Sequence, residues 1–104
     1  MIQSLSVRIT ALAARQIREA QSWWSIHRTA APNAITQELE RAFSLLASQP
    51  QVGGRAMNVS LPSVRRVFLP RVKYHVYDHV IDAPERVVEV VAFWHARRGD
   101  GPPI

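Results

Sequence analysis

The stretch VRRVFLPRVKYHVYDHVI, residues 64–81, followed closely by VVEVVAFW, residues 87–94, decides the fold. It contains three apolar runs, Val64 to Leu69, Val72 to Ile81 and Arg86 to Trp94. The breaks between them are only Pro70-Arg71 and Asp82-Ala83-Pro84-Glu85, which have turn chemistry. Breaks this short join antiparallel strands, because a parallel crossover needs a dozen residues or more. The run Val87 to Trp94 is apolar on nearly every residue, so it reads as the best buried strand.

Upstream, Leu5, Val7 and Ile9 alternate with Ser6 and Arg8, which predicts a first strand over roughly 4 to 9. Thr10 stands where an N-cap belongs, and Ala13, Ile17, Ala20, Trp24 and His27 follow a helical spacing to about Arg28. Trp23 and Trp24 cannot both point into a core from one helix, so one is expected inside and the other at the margin. Pro32 suits the first position of a second helix, where its missing donor costs nothing. That helix carries Ile35, Leu39, Ala42 and Leu46 on one face and stops at Gln49-Pro50. A Gly53-Gly54 loop connects it to the first apolar run. The expected architecture is α+β in the order β-α-α-β-β-β: a helical hairpin packed on a small, mostly antiparallel twisted sheet. The N-terminal strand should lie beside one of the three later ones. The other face of the sheet is expected to be open to solvent or to a partner, and residues 94–104 to form a C-terminal arm.

With 104 residues, 47% of them hydrophobic, the chain suits one globular domain spanning 1–104. It has no cysteine, which excludes disulfides, thiolate metal sites and a cysteine nucleophile and fits a reducing compartment, with the cytoplasm as the default. No early apolar stretch is long enough for a signal core or a membrane span.

Thirteen Lys and Arg oppose eight Asp and Glu, a net charge of +5, and twelve of the thirteen cations are Arg. Between Arg41 and Tyr77 there is no Asp or Glu, while Arg41, Arg55, Arg65, Arg66, Arg71 and Lys73 all fall there. The centre of the chain therefore projects a positive field suited to phosphate or carboxylate.

No glycine-rich phosphate loop, metal-ligand spacing or nucleophile elbow is present, and no cofactor is expected. His75, Tyr77 and His79 alternate onto one strand face. His75 and His79 are about 13 Å apart in an extended strand, too far for one metal ion. A second constellation is Arg65 or Arg66 on one strand, Lys73 and His75 on its neighbour, and His95 with Arg97 and Arg98 at the end of the last. Cleaving RNA through its own 2′-hydroxyl needs a base, an acid and cations on the phosphate, roles open to His95 or His75 and to these arginines. A bare nucleic-acid-binding module rests on charge alone, since no aromatic signature of the RRM kind is visible.

The run Arg65 to Tyr77, then Val87 to Trp94 and His95-Ala96-Arg97-Arg98-Gly99, resembles the C-terminal half of the ParE branch of the RelE/ParE toxins of bacterial type II toxin-antitoxin pairs. The first half, with its strand, its tryptophan-ended helix, Ala31-Pro32 and Leu45-Leu46 before Pro50, is similar too. The resemblance implies a growth-inhibiting cytoplasmic toxin in a hetero-oligomer with a ParD-like or RelB-like antitoxin. The acidic segment of such an antitoxin would meet the basic surface, and an open sheet edge would accept an added strand. The ParE branch implies DNA gyrase as target and no enzymatic activity. The RelE branch implies ribosome-dependent mRNA cleavage, with His95, Arg66 and Lys73 as catalytic residues. Only Arg55 is basic in the loop after the second helix, and Tyr74 and His75 fall within a strand, which favours the ParE branch. The residues expected to meet target or antitoxin are Arg55, Arg65, Arg66, Arg71, Lys73, His75, Tyr77, His95, Arg97 and Arg98.

Overall fold

The computed structural model describes residues 4–104. Its elements are β1 (Ser6–Ile9), α1 (Ala11–His27), α2 (Ala34–Ser48), β2 (Gly54–Arg55), β3 (Arg65–Leu69), β4 (Tyr74–Ile81) and β5 (Val87–His95). They form one five-stranded sheet in the order β1-β5-β4-β3-β2. The three apolar runs become β3, β4 and β5, antiparallel as their short breaks require. β1 lies beside β5 and parallel to it, with Ser6 opposite Val87 and Ile9 opposite Val90.

Thr10 ends β1 and starts α1. Its amide donates to the Val90 carbonyl at 3.0 Å, and its hydroxyl accepts the Ala13 amide at 3.2 Å, so one residue joins strand to helix. The start of α2 differs from expectation. Pro32 is not its first residue; Ala34 is, with Asn33 as N-cap. The Ala31 carbonyl accepts both the Trp24 indole at 2.9 Å and the Ala34 amide at 3.2 Å, which holds residues 31–34 in a turn and delays the helix. Trp24 packs against the core while Trp23 is 44% exposed, the division expected of the pair.

Ala13, Ile17 and Ala20 of α1 and Ile35, Leu39, Ala42 and Leu46 of α2 close over Val76, Val88, Val90 and Phe93 of the sheet. Burying a Leu, Val or Ile side chain contributes about 1.5 to 3 kcal/mol, so this layer is the main source of stability.

Most of the opposite face is not open, although Phe68 at the β3 edge is exposed. Tyr77, Val91, Ala92 and Trp94 pack there with Ala56, Val59, Val64 and Ile104, forming a second apolar layer under the chain's own segments. The C-terminal residues are not a free arm but a strap across this face. The Ile104 carbonyl accepts the Ser60 and Leu61 amides at 2.9 and 3.3 Å, and the Trp94 indole donates to the Asp100 carbonyl at 2.8 Å. Gly101 lies so close to the Asn58 backbone that a Cβ has no room. The physical reason is β5 itself: a strand apolar on both faces needs cover on both. A bulge strengthens this, since Tyr77 pairs with Ala92 but Asp78 with Val90, leaving Val91 as the extra residue. Val91 and Ala92, adjacent in sequence, thereby both join the second layer.

Part of the glycine loop is also ordered into the sheet. Gly54 pairs with Arg66 and Arg55 with Arg65. Gly53, at φ 88, makes the approach, and a side chain there would collide with the Arg66 carbonyl. Because β2 is so short, Val67–Leu69 keeps an outer edge with no paired strand among the described residues.

Candidate functional site

The densest gathering of expected site residues is at the β3–β4 turn. Val72 and Lys73 both donate amides to the Leu69 carbonyl, at 3.3 and 2.8 Å, and Lys73 completes the turn at φ 65. The Lys73 carbonyl then accepts the Ala96 amide at 2.8 Å, which brings the end of β5 alongside. The C-terminal end of α1 faces the same place. Between them is a cavity of about 470 Å³ with Trp23, Trp24, Val72 and Tyr74 as walls and Arg28, Arg71, Lys73, Arg97 and His95 around it. Four cations and no carboxylate line it.

The cations are held to different degrees. Arg71 donates to Gln37 at 2.9 Å and lies 3.6 Å from Glu38, which also holds Arg41 at 3.4 Å, so it fastens the turn to α2. Arg28 lies over the two indoles, 5.2 Å from Trp23 and 5.8 Å from Trp24. Lys73 and Arg97 have no ion pair among the described residues, leaving both charges available to a partner.

His95 stands edge-on to Tyr74 at 5.0 Å and accepts the Arg97 amide on Nδ1 at 3.1 Å. Burial, then the charges of Arg97 and Arg98, hold its pKa below the ordinary value and favour the neutral ring. With Nδ1 accepting, the neutral ring carries its proton on Nε2. Burial raises the Tyr74 pKa, against a smaller opposing effect of Arg98, so its hydroxyl stays protonated at neutral pH.

The other expected residues lie away from this cavity, on the second face, at the β5 edge or beside a second cavity. Directly paired residues of adjacent strands share a face. Tyr74, opposite His95, belongs to the helix side, whereas Arg66, opposite Tyr77, belongs to the second face. The sheet therefore separates Arg66 from Lys73 and His95, and the three residues of the RNA-cleaving set are not brought together. His75 also lies on the second face, while Arg98 stands at the β5 edge, over Trp94 but also lining a pocket with Tyr74, His95 and α1. Burial and then Arg66 lower the His75 pKa, and Arg98 stacks 3.6 Å above the Trp94 ring. Tyr77 is 1% exposed with its hydroxyl 3.0 Å from the Asn58 amide, so it is a packing residue rather than a contact surface.

Arg55 and Arg65 face a different cavity, of about 380 Å³, near residues 50–51 and Asp78. No group of three or more His, Asp or Glu among the described residues is placed to hold a metal ion. Among the described residues no helix is long and apolar enough to cross a membrane. Sequence reading missed Arg28 and the two tryptophans as cavity walls. The available signal was that a cation four residues after a Trp-Trp pair, at a helix end, can fold back over the rings.

Comparison with curated proteins gives no match. Among solved structures, a chain described as "Chromosomal ParDE TA system from P. aeruginosa" is similar, with a TM-score of 0.71 at 18% identity, covering 90% of this chain and 98% of that one. At that identity the likeness establishes the shared fold. The family model described as "ParE toxin of type II toxin-antitoxin system, parDE" matches residues 7–99. From β1 to the residues after β5, the chain belongs to the ParE toxin family of type II toxin-antitoxin systems.

Proposed function

We propose that this chain arrests bacterial growth by binding DNA gyrase and is held inactive in the cytoplasm by a cognate ParD-like antitoxin, as a hetero-oligomer. The observation that carries the reading, beside family membership, is the carboxylate-free cavity with Lys73 and Arg97 unpaired. An acidic antitoxin segment is its electrostatic complement. The unpaired edge at Val67–Leu69 offers the same segment backbone hydrogen bonds. Separation of Arg66 from His95 favours a binding toxin over a nuclease.

The test is purified gyrase with ATP and supercoiled or relaxed plasmid. A saturating amount of the chain should stop supercoiling or trap cleaved DNA, and adding the antitoxin should reverse the effect. Unaltered gyrase at saturation removes gyrase as the target.

One observation favours a second reading: a neutral His95 shares its cavity with Lys73, Arg97 and the Tyr74 hydroxyl. If the chain cleaves mRNA on the ribosome, His95→Ala abolishes the cut while antitoxin binding persists. Full cleavage by that variant excludes His95 as proton carrier.

A further inference from the structure

The second face of the sheet carries an arrangement that no local run of sequence displays. Phe68 pairs with His75, and His75 with Trp94, so three aromatic side chains form one row across β3, β4 and β5. The Phe68 and His75 ring centroids are 5.1 Å apart, and Phe68, on the part of β3 with no outer neighbour, is 45% exposed. Trp94 is 9% exposed, and its ring is capped by Arg98 at 3.6 Å. A guanidinium placed over an indole can still offer N–H groups to an oxyanion. Arg66 occupies the next row, opposite Tyr77 and beside Gly54, whose missing side chain leaves space around it. β3 contains no acid, β4 none before Asp78, and β5 none after Glu89, which is paired with His79 at 2.8 Å toward the other end; the strap brings Asp100, whose carbonyl accepts the Trp94 indole, to the Arg98 end.

The exposed Phe68 ring and the half-buried His75 ring, with Arg66 in the next row and Arg98 over the buried Trp94, make a surface on which successive bases can stack while phosphates meet the cations. A duplex does not fit, because its bases already stack on one another and present only edges. A purely acidic peptide would use the arginines but would leave the Phe68 ring without a role. Reading RNA over DNA needs a partner for the 2′-hydroxyl. The nearest such groups, the Tyr77 hydroxyl and the Asn58 amide, are bonded to each other.

We propose that this row is a binding site for single-stranded DNA, with bases stacked on Phe68 and His75 and phosphates held by Arg66 and Arg98. Phe68, His75 and Arg66 lie on the opposite side of the sheet from the cationic cavity, whereas Arg98 also reaches Tyr74 and His95, so the test rests on Phe68 and Arg66 and its failure would leave the antitoxin and gyrase readings standing.

The experiment is fluorescence anisotropy of a labelled ten-thymidine strand titrated with the whole chain at low salt. Phe68→Ala, at an exposed position, should weaken binding about ten-fold, Phe68→Trp should retain or improve it, and Arg66→Gln should weaken it and flatten its salt dependence. A duplex of equal length should bind about ten-fold less tightly than the single strand. The proposal is overturned by no binding, by Phe68→Ala binding like the parent, by duplex matching single strand, or by a uridine ten-mer binding far more tightly than thymidine.

Discussion

Arg65 and Asp78 stand directly opposite each other on β3 and β4, yet they form no ion pair. The guanidinium donates to the Gly53 carbonyl at 3.3 Å, and both oxygens of the fully buried carboxyl are without a hydrogen-bond partner. Burial pushes the Asp78 pKa from 3.8 to about 7, with Arg65 only partly opposing it. The folded chain thus binds this proton more tightly than the unfolded chain does. Stability contributed by the protonated carboxyl is fully present below pH 3.8 and declines as pH rises to about 7. The decline is about 1.4 kcal/mol per pH unit within that window. Asp78→Asn should flatten this dependence, raising Tm at pH 8 and giving little or no gain at pH 5. Parallel melting curves for parent and variant across that range would argue against a proton on Asp78.

Lys73 occupies a left-handed backbone position that costs a non-glycine residue about 1 kcal/mol. Lys73→Gly should therefore keep or raise Tm while deleting a cation that faces the cavity. Titration calorimetry should find antitoxin affinity reduced about five-fold or more, an effect that shrinks at high salt. A large fall in Tm would mean that the turn depends on the lysine side chain.

Arg97→Glu tests the same cavity from the β5 side. Its charge reversal should cut the association rate with an acidic antitoxin several-fold at low salt and leave the fold unchanged by circular dichroism. An unaffected rate would place the acidic segment elsewhere.

The strap across the second face makes Gly101 a packing residue. Gly101→Ala forces a methyl group against the Asn58 backbone and should cost about 1 to 3 kcal/mol. Urea melts report the loss, and Trp94 fluorescence should shift red as water reaches the indole. Gly99→Ala, where the added methyl meets nothing, is the control and should be neutral.

Thr10→Ala removes the hydroxyl that caps α1 and should cost about 1 kcal/mol by the same melts. Thr10→Ser should restore most of it.

Much of the fold was legible because its signals are local and repeated: alternation at Leu5, Val7 and Ile9, helical spacing from Ala13 to Trp24, and three apolar runs with breaks too short for crossovers. Pro32 misled because the Ala31 carbonyl, which accepts both the Trp24 indole and the Ala34 amide, holds the segment in a turn, and that indole contact is not visible as a local pattern. Cover on the second face was hidden for a related reason. Ile104 gains meaning only once β5 is known to need burial on both sides, and the Val91 bulge reverses the alternation that would have assigned its neighbours. The basic cluster was visible as composition, but its division among two cavities and the second face was not. Strand register, rather than nearness in sequence, decides which arginines become neighbours.

The pairing of β1 with β5 ties the first-made strand to the last. During synthesis, Ser6 to Ile9 must wait, edge exposed, until Val87 to Val90 have left the ribosome. A product cut short before β5 therefore leaves β1 without its partner strand and takes Val88, Val90 and Phe93 from beneath the helices.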